Sequence, residues 1–308
     1  MTPPALFAID WGTTSARAYR MSTSGDVLDV RSAPLGISQI HDGRFSEALA
    51  HLLGDWRDEK APRIACGMIG SRQGWLEAPY IPCPVPLSDL ASGIVRTPGN
   101  ELAVVPGVRT RDANGLPDVM RGEETQIVGG VDAGEKRVLV AMPGTHSKWA
   151  FVESGRIVDF ATFMTGELWH VLLAHSILGR LATESPAAGE IGQAFMRGAT
   201  RGLGTGVITH DIFGARTLAL MGELSGDEVG DWLSGLMIGR EVRNARLWAQ
   251  RNGYDGARVR LIGDDALVSR YHAVLVEAEV TIERADSRAA AHGLWRIAVQ
   301  AGIANPLH

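Results

Sequence analysis

The chain has 308 residues, enough for one large domain or two ordinary ones with a sizeable core. Apolar residues make up 45% and charged residues 21%, and the 35 acidic against 30 basic side chains leave a formal charge of −5. That balance gives no electrostatic case for a nucleic acid or an anionic membrane surface as partner. No apolar run reaches the length of a membrane span, and the two cysteines, Cys66 and Cys83, make neither a disulfide framework nor a zinc site. Met1-Thr2-Pro3-Pro4 has no basic or apolar signal segment, so a cytoplasmic protein is expected.

The apolar run Leu6 to Ile9 reads as a buried strand ending on the carboxylate of Asp10. Gly12, Thr13, Thr14 and Ser15 follow, and the alternation from Ala16 to Tyr19 predicts a second strand leaving the turn. A strand–turn–strand lacks the helix that a P-loop or dinucleotide fingerprint requires at this point. Gly12 lets backbone approach a phosphate, and Thr13, Thr14 and Ser15 can donate hydrogen bonds to it. Asp10 at the strand mouth is placed to hold Mg²⁺, directly or through water. A third strand is expected at Val27 to Val30, and apolar spacing from Phe45 to Trp56 predicts a helix. Ile64 to Gly70 reads as a further buried strand. The order of three antiparallel strands, a helix and a parallel strand begins a ribonuclease H-like fold.

The next stretch, Ser71 to Pro86, carries four prolines between Pro79 and Pro86 and reads as an extended loop. Ser71, Arg72, Gln73 and Trp75 make it chemically rich at a strand's carboxyl end, where α/β ligands usually sit. A helix beginning near Gly122 would hold Glu123 and Glu124 in its first turn. One of the two could take a proton from a substrate hydroxyl; the bland role is pairing with the helix dipole.

In the second half the pattern recurs. Arg137 to Met142 is a predicted strand closed by Pro143-Gly144-Thr145-His146-Ser147-Lys148, with strands at Trp149 to Val152 and Ile157 to Phe160 around a hairpin turn. Two halves of this kind offer two phosphate-binding turns, as a nucleotide's β- and γ-phosphates require. His146 reads equally as structural or catalytic. A long helix from Val229 to Trp248 has glycines that suggest close helix packing. Val259 to Ile262 is a strand broken at Gly263 and Asp264, a turn suited to adenosine or phosphate, or to a plain αβ connection. Helices are expected at Ala266 to Val276 and from Ser287, its cap, to Val299, with a short strand at Val280 to Ile282. The implied domains are residues 1–135 and 136–308.

The strings Cys66 to Trp75, Met120 to Gln126, Pro143 to Trp149 and Thr165-Gly166-Glu167-Leu168, added to Asp10-x-Gly12-Thr13-Thr14 and Gly263-Asp264, resemble the 2-dehydro-3-deoxygalactonokinase family of the sugar kinase, heat-shock and actin ATPase superfamily. The resemblance implies an α/β protein of two ribonuclease H-like lobes around a nucleotide cleft. It also implies ATP, Mg²⁺, and transfer of a phosphoryl group to the terminal hydroxyl of a six-carbon keto-deoxy sugar acid. By position, Asp10, Gly12, Thr13 and Thr14 would form the first phosphate turn, Gly144, Thr145 and Ser147 the second, and Gly263 and Asp264 the adenosine turn. Lys148 would offset phosphate charge, and Glu123 or Glu124 would be the base. The substrate carboxylate calls for a guanidinium: Arg72 first, with Arg121 and Arg17 behind it. Glu167 joins the substrate side. A homodimer is compatible with this reading. Its rivals are a kinase of another sugar or sugar acid, and a non-kinase ATPase of the same fold.

Overall fold

In the computed structural model, which describes residues 3–132, 134–183 and 191–306, the opening run forms a strand at the middle of a six-stranded sheet. Met1 and Thr2, part of the stretch read for a signal segment, lie outside the described residues. β1 (Leu6–Trp11) pairs antiparallel with β2 (Ala16–Met21), and β2 with β3 (Val27–Ala33). α1 (Phe45–Leu53) then crosses to β4 (Arg63–Gly67), which lies parallel to β1. The predicted helix to Trp56 stops at Leu53 because Gly54 takes φ +56°; a 3-10 turn, Gly54–Asp58, carries Trp56 on into the core. There Trp56 stacks on Phe7 at 5.7 Å. The strand expected through Gly70 ends at Gly67, and a 3-10 turn, Met68–Gly70, follows.

The proline-rich loop contains two short strands, β5 (Tyr80–Pro82) and β6 (Val85–Pro86), before a single helical turn, α2 (Asp89–Ser92). β7 (Val95–Arg96) and β8 (Ala103–Val104) complete the first sheet in the order β3-β2-β1-β4-β8-β7. β9 (Gly107–Arg111) and β10 (Pro117–Met120) join β5 in a three-stranded sheet, and α3 (Glu123–Gly130) follows. The sequence pattern does not reveal β7 to β10, which are short and lack alternation.

β11 (Arg137–Met142), β12 (Ser147–Glu153) and β13 (Arg156–Phe163) repeat the opening motif. Helices α4 (Thr165–His175), α5 (Gln193–Leu203), α6 (Ile208–Asp211), α7 (Gly214–Leu220) and α8 (Glu228–Arg251) come next, then β14 (Val259–Leu261), α9 (Asp265–Glu277) and β15 (Ile282–Arg284). The order β13-β12-β11-β14-β15 matches β3-β2-β1-β4-β8 strand for strand, with β14 parallel to both β11 and β15. The expected strand at Val280 thus lies two residues later. Gly235 and Gly239 of α8 face the α5 backbone, the close packing that its glycines suggest.

The last helix, α10 (Ala289–Gln300), starts after Arg288, and Ser287 is not its cap. α10 packs on α3 so closely that a Cβ at Gly293 would lie 1.9 Å from the Thr125 carbonyl oxygen. Accordingly the chain falls into two compact units. The first is Met1–Lys136, Val152–Asp159 and Arg288–His308, and the second is Arg137–Phe151 and Phe160–Ser287. The division after Lys136 lies one residue from the expected boundary. The two later pieces return to the first unit because α10 buries Leu294 and Ile297 there, and because β6 pairs with the start of β13.

Candidate functional site

In the first unit, the turn after β1 is closed by the Gly12 N–H donating to the Ser15 carbonyl at 2.9 Å. Ile37 and Ser38 donate backbone N–H bonds to the Gly12 and Thr13 carbonyls, bracing the turn from behind. Thr13, Thr14 and Ser15 are consequently exposed, with their hydroxyls available. Asp10 is half-buried, and the Cys66 thiol of β4 approaches its Oδ1 at 3.9 Å. Burial pushes the Asp10 carboxyl up; Arg17 opposes the rise and the charge of Glu123 adds to it.

Two glycines bring Glu123 that near. Gly67 at the end of β4 has φ +89° and Gly122 before α3 has φ +109°, where side chains are strained. A Cβ on Gly122 would sit 3.2 Å from the Gly67 Cα, so the start of α3 lies directly on the end of β4. The two acids that follow differ sharply. Glu124 is fully buried; its Oε2 accepts the Gly122 N–H at 2.7 Å and its Oε1 the Thr125 hydroxyl at 2.9 Å. Glu123 is half-buried, and its Oε2 accepts the Arg121 N–H at 3.0 Å.

Burial pushes the Glu124 carboxyl up to about 8, with the Glu123 charge adding to the rise and the Thr125 hydroxyl opposing it. It is therefore protonated at neutral pH, whereas an unfolded glutamate ionises near 4.5. Between those values the folded chain binds a proton that the unfolded chain has lost, so this group's contribution to stability is complete at low pH and disappears as pH rises to about 8. Glutamine mimics the protonated form. Glu124→Gln is expected to flatten the fall in urea midpoint from about pH 5 to about pH 8. Parallel profiles in variant and parent would show that Glu124 is not the buried acid responsible.

The three candidate arginines lie in different settings. Arg121 is buried, with its guanidinium 4.2 Å from the Tyr80 ring centre and Nη2 donating to the Ala78 carbonyl at 2.7 Å, so it props the proline-rich loop. Arg17 is exposed beside Asp10, donating from Nε to the Ser32 hydroxyl at 3.3 Å. Arg72 keeps 87% of its side chain exposed, 3.7 Å from Glu77. Gln73 is exposed, Ser71 is buried, and Trp75 stacks on Phe45 at 6.1 Å in the packing role that aromatic residues commonly take.

In the second unit, Gly144 is half-buried and Thr145 and His146 are exposed, but Ser147 and Lys148 are buried as the first residues of β12. The turn is thus shorter than the sequence suggests. It rests on the start of α4: Glu167 donates its N–H to the Thr145 carbonyl at 3.0 Å, and its carboxylate is hydrogen-bonded to His146 Nε2. Lys148 Nζ reaches back to the His146 carbonyl at 3.5 Å. Gly263, at φ +149°, lies beside Pro143 of the same turn, and the exposed Asp264 caps α9 by accepting the Ala266 N–H at 3.0 Å. A cavity of about 620 Å³ elsewhere in this unit includes none of these residues; its Arg201 is paired with the buried Asp211.

Two matched sheets, each with a hydroxyl-bearing turn after its first strand, make a two-unit α/β fold, and its relatives make the chain a kinase of sugar acids. A family model described as 2-keto-3-deoxy-galactonokinase matches residues 10–297, and the chain belongs to that family. The 2-dehydro-3-deoxygalactonokinase of Escherichia coli (strain K12) is 36% identical over 265 residues, covering 86% of this chain and 87% of that protein. A relative from Rhizobium meliloti (strain 1021), provisionally given the same name, is 34% identical over 302 residues, or 94% and 97% of the two chains. A crystal structure from Sinorhizobium meliloti, also provisionally so named, superposes with a TM-score of 0.84 at 32% identity, covering 96% and 98%. The activator of the 2-hydroxyisocaproyl-CoA dehydratase from Clostridium difficile with bound ADPNP shares the fold alone, at TM-score 0.53 and 12% identity over 97% and 95%. Membership of a kinase family implies ATP use. No helix among the described residues is long and apolar enough to cross a membrane.

Proposed function

We propose that the protein phosphorylates the terminal, 6-hydroxyl of 2-dehydro-3-deoxy-D-galactonate with ATP and Mg²⁺, as a cytoplasmic step of galactonate breakdown. The observation that carries this reading is the placement of Glu123 within electrostatic reach of Asp10, whose strand leads into the turn that exposes Thr13, Thr14 and Ser15. Phosphoryl transfer has a loose transition state, so the protein's task is to position the reactants and offset charge.

The donor set suits Mg²⁺. Among the described residues no cluster of three or more acidic, histidine or cysteine ligands exists, and Mg²⁺ commonly keeps several waters while binding one or two carboxylates plus substrate phosphates. Asp10 would hold it, and the ion supplies positive charge at the β- and γ-phosphate oxygens when bound. Within the first unit Thr13, Thr14 and Ser15 suit a phosphate; within the second the backbone at Gly144 and Thr145 suits a phosphate, with Gly263 and Asp264 suited to the adenosine. Lys148 adds positive charge beneath the second turn, and the Glu167–His146 pair fixes the turn's outer side.

Glu123 is the base in this reading. The burial of Glu124 and its bonds to Gly122 and Thr125 support this choice. Arg72 takes the substrate carboxylate, because it is exposed whereas Arg121 is buried against Tyr80 and Ala78. Ser71 and Gln73 flank it. Arg72→Lys keeps the charge and loses the planar fork, at about 1–3 kcal/mol for a charge-assisted contact. The sugar-acid KM should rise by roughly five- to a hundredfold and the ATP KM stay near the parent value. An unchanged sugar-acid KM would transfer the carboxylate to Arg17.

The experiment that tests the function as a whole is a coupled measurement of ADP release with a panel of epimeric 2-keto-3-deoxy sugar acids. Turnover that prefers the galactonate epimer supports the reading. Equal or better turnover of the other epimers overturns the substrate, and ATP hydrolysis indifferent to every acid overturns the kinase reaction.

A further inference from the structure

Beneath the second turn lies a carboxylate that the reaction does not use. Glu241, in the middle of α8, is only 2% exposed. Its Oε1 accepts the Trp149 indole N–H at 2.8 Å and its Oε2 accepts the Tyr271 hydroxyl at 2.7 Å. The hydroxyls of Thr165 and Ser147 lie close enough to lower its proton affinity. Ser147 and Tyr271 are themselves 2.9 Å apart, oxygen to oxygen. An ionised carboxylate has about four lone-pair sites, and Trp149 and Tyr271 each fill one on separate oxygens. Burial alone pushes this carboxyl up, and these four donors pull the other way.

The proton directions follow from the inventory of donors. Tyr271 has one hydroxyl proton, and the geometry gives it to Glu241. Ser147 then has the Tyr271 oxygen at 2.9 Å and the Gly144 carbonyl of the turn at 3.4 Å as acceptors for its hydroxyl. Its side chain, fully buried, is unavailable as a donor to an anion at the turn. At the same time the donors span β12 (Ser147 and Trp149), α4 (Thr165) and α9 (Tyr271), which together with α8 form the seat of the turn. Thr165 opens the helix on whose first residues the turn rests: a Cβ on Gly166 would lie 2.5 Å from the Gly144 carbonyl oxygen.

We infer that Glu241 is a positioning residue for the second phosphate turn, holding the start of β12 through Trp149 and, by way of Tyr271, through Ser147, so that the turn meets a phosphate with backbone N–H groups and not with the Ser147 hydroxyl. This rests on the proposed reading of Gly144–Ser147 as a phosphate turn, and deepens it. A buried polar network is costly when only partly satisfied, so loss of one acceptor should disturb the whole seat.

The test is steady-state kinetics of the full chain, with ATP and the sugar acid varied separately, alongside thermal midpoints. Glu241→Gln keeps the shape and replaces one acceptor oxygen with a donor. Loss of partners that orient ligand-holding groups typically costs 10–100-fold, so the ATP KM should rise by about tenfold or more while the sugar-acid KM changes by less than about twofold. Tyr271→Phe, which removes one link, should raise the ATP KM about threefold and serves if the glutamine variant does not fold. Gly144→Val separates the two readings, because a Cβ there meets nothing within 4 Å in the fold, so added bulk should chiefly obstruct a ligand. If Gly144→Val raises the ATP KM and a folded Glu241→Gln (or Tyr271→Phe) does not, Glu241 is structural and the inference fails. If Gly144→Val leaves the ATP KM alone, the turn is not a phosphate site and the underlying reading fails.

Discussion

Asp10→Asn is expected to reduce turnover by on the order of 10³-fold in a protein that folds as the parent does. Its strand pairings are all through the backbone, to Arg17 of β2 and Cys66 of β4, and an isosteric amide leaves them in place. What changes is charge. Burial and Glu123 both disfavour ionisation of Asp10, with Arg17 opposing them, and a divalent cation would more than reverse that balance. Asparagine offers the cation an oxygen without the charge, so the residual activity should recover partly at high Mg²⁺ and parent activity should saturate early. The same substitution removes a carboxylate whose charge burial opposes, so without Mg²⁺ the thermal midpoint should hold or rise slightly. Parent-like rates in a folded Asp10→Asn chain would remove this turn from the active site.

The topology was legible because its signals are local. An apolar run ending on Asp10, a glycine–hydroxyl turn and an alternating second strand recur at Arg137 to Val152, and both sheets follow. Helix ends were less legible. Trp56 has the right spacing for α1, yet Gly54 ends the helix before it, and Ser287 has capping chemistry but lies two residues before α10 begins. Residues 193–220 form three helices that no reading of the sequence anticipated, since glycine, threonine and arginine interrupt their apolar spacing.

Side-chain roles divided along the same line. Exposure of Thr13 and Thr14 could be expected from their turn. The inward commitment of Ser147 could not, because it depends on Tyr271 and Glu241, 124 and 94 positions away along the chain in Ser147's numbering. One faint signal existed. Glu241 falls on the α8 stripe that runs through Met237 and Ala245, both buried, and an acid on such a stripe needs donors. The choice between Glu123 and Glu124 was equally closed to sequence, for adjacent helical residues point about 100° apart and only the surrounding fold says which of them is covered.

That choice is where kinetics should show the sharpest contrast. A primary alcohol must lose its proton as its bond to phosphorus forms, and general-base assistance is typically worth 10²–10⁴-fold. Glu123 is half-buried near Asp10, with one carboxylate oxygen engaged by the Arg121 N–H, a bond that glutamine can also accept. Glu123→Gln should therefore fold normally, bind ATP with nearly parent KM, and lose about 10²–10⁴-fold in kcat. Unlike the Asp10 variant, it should gain nothing from added Mg²⁺, because the missing function is a proton acceptor and not a metal ligand. Glu124→Gln is the matched comparison. Its carboxyl is neutral in the folded chain at pH 7 and engaged by Gly122 and Thr125, so the amide should keep kcat within about threefold of the parent. A dead Glu124 variant beside an active Glu123 variant would reverse the assignment, and would mean that Glu124 leaves its buried position during turnover. Two active variants would leave neither glutamate as the base, and His146, paired with Glu167 on the second turn, would become the next side chain to substitute.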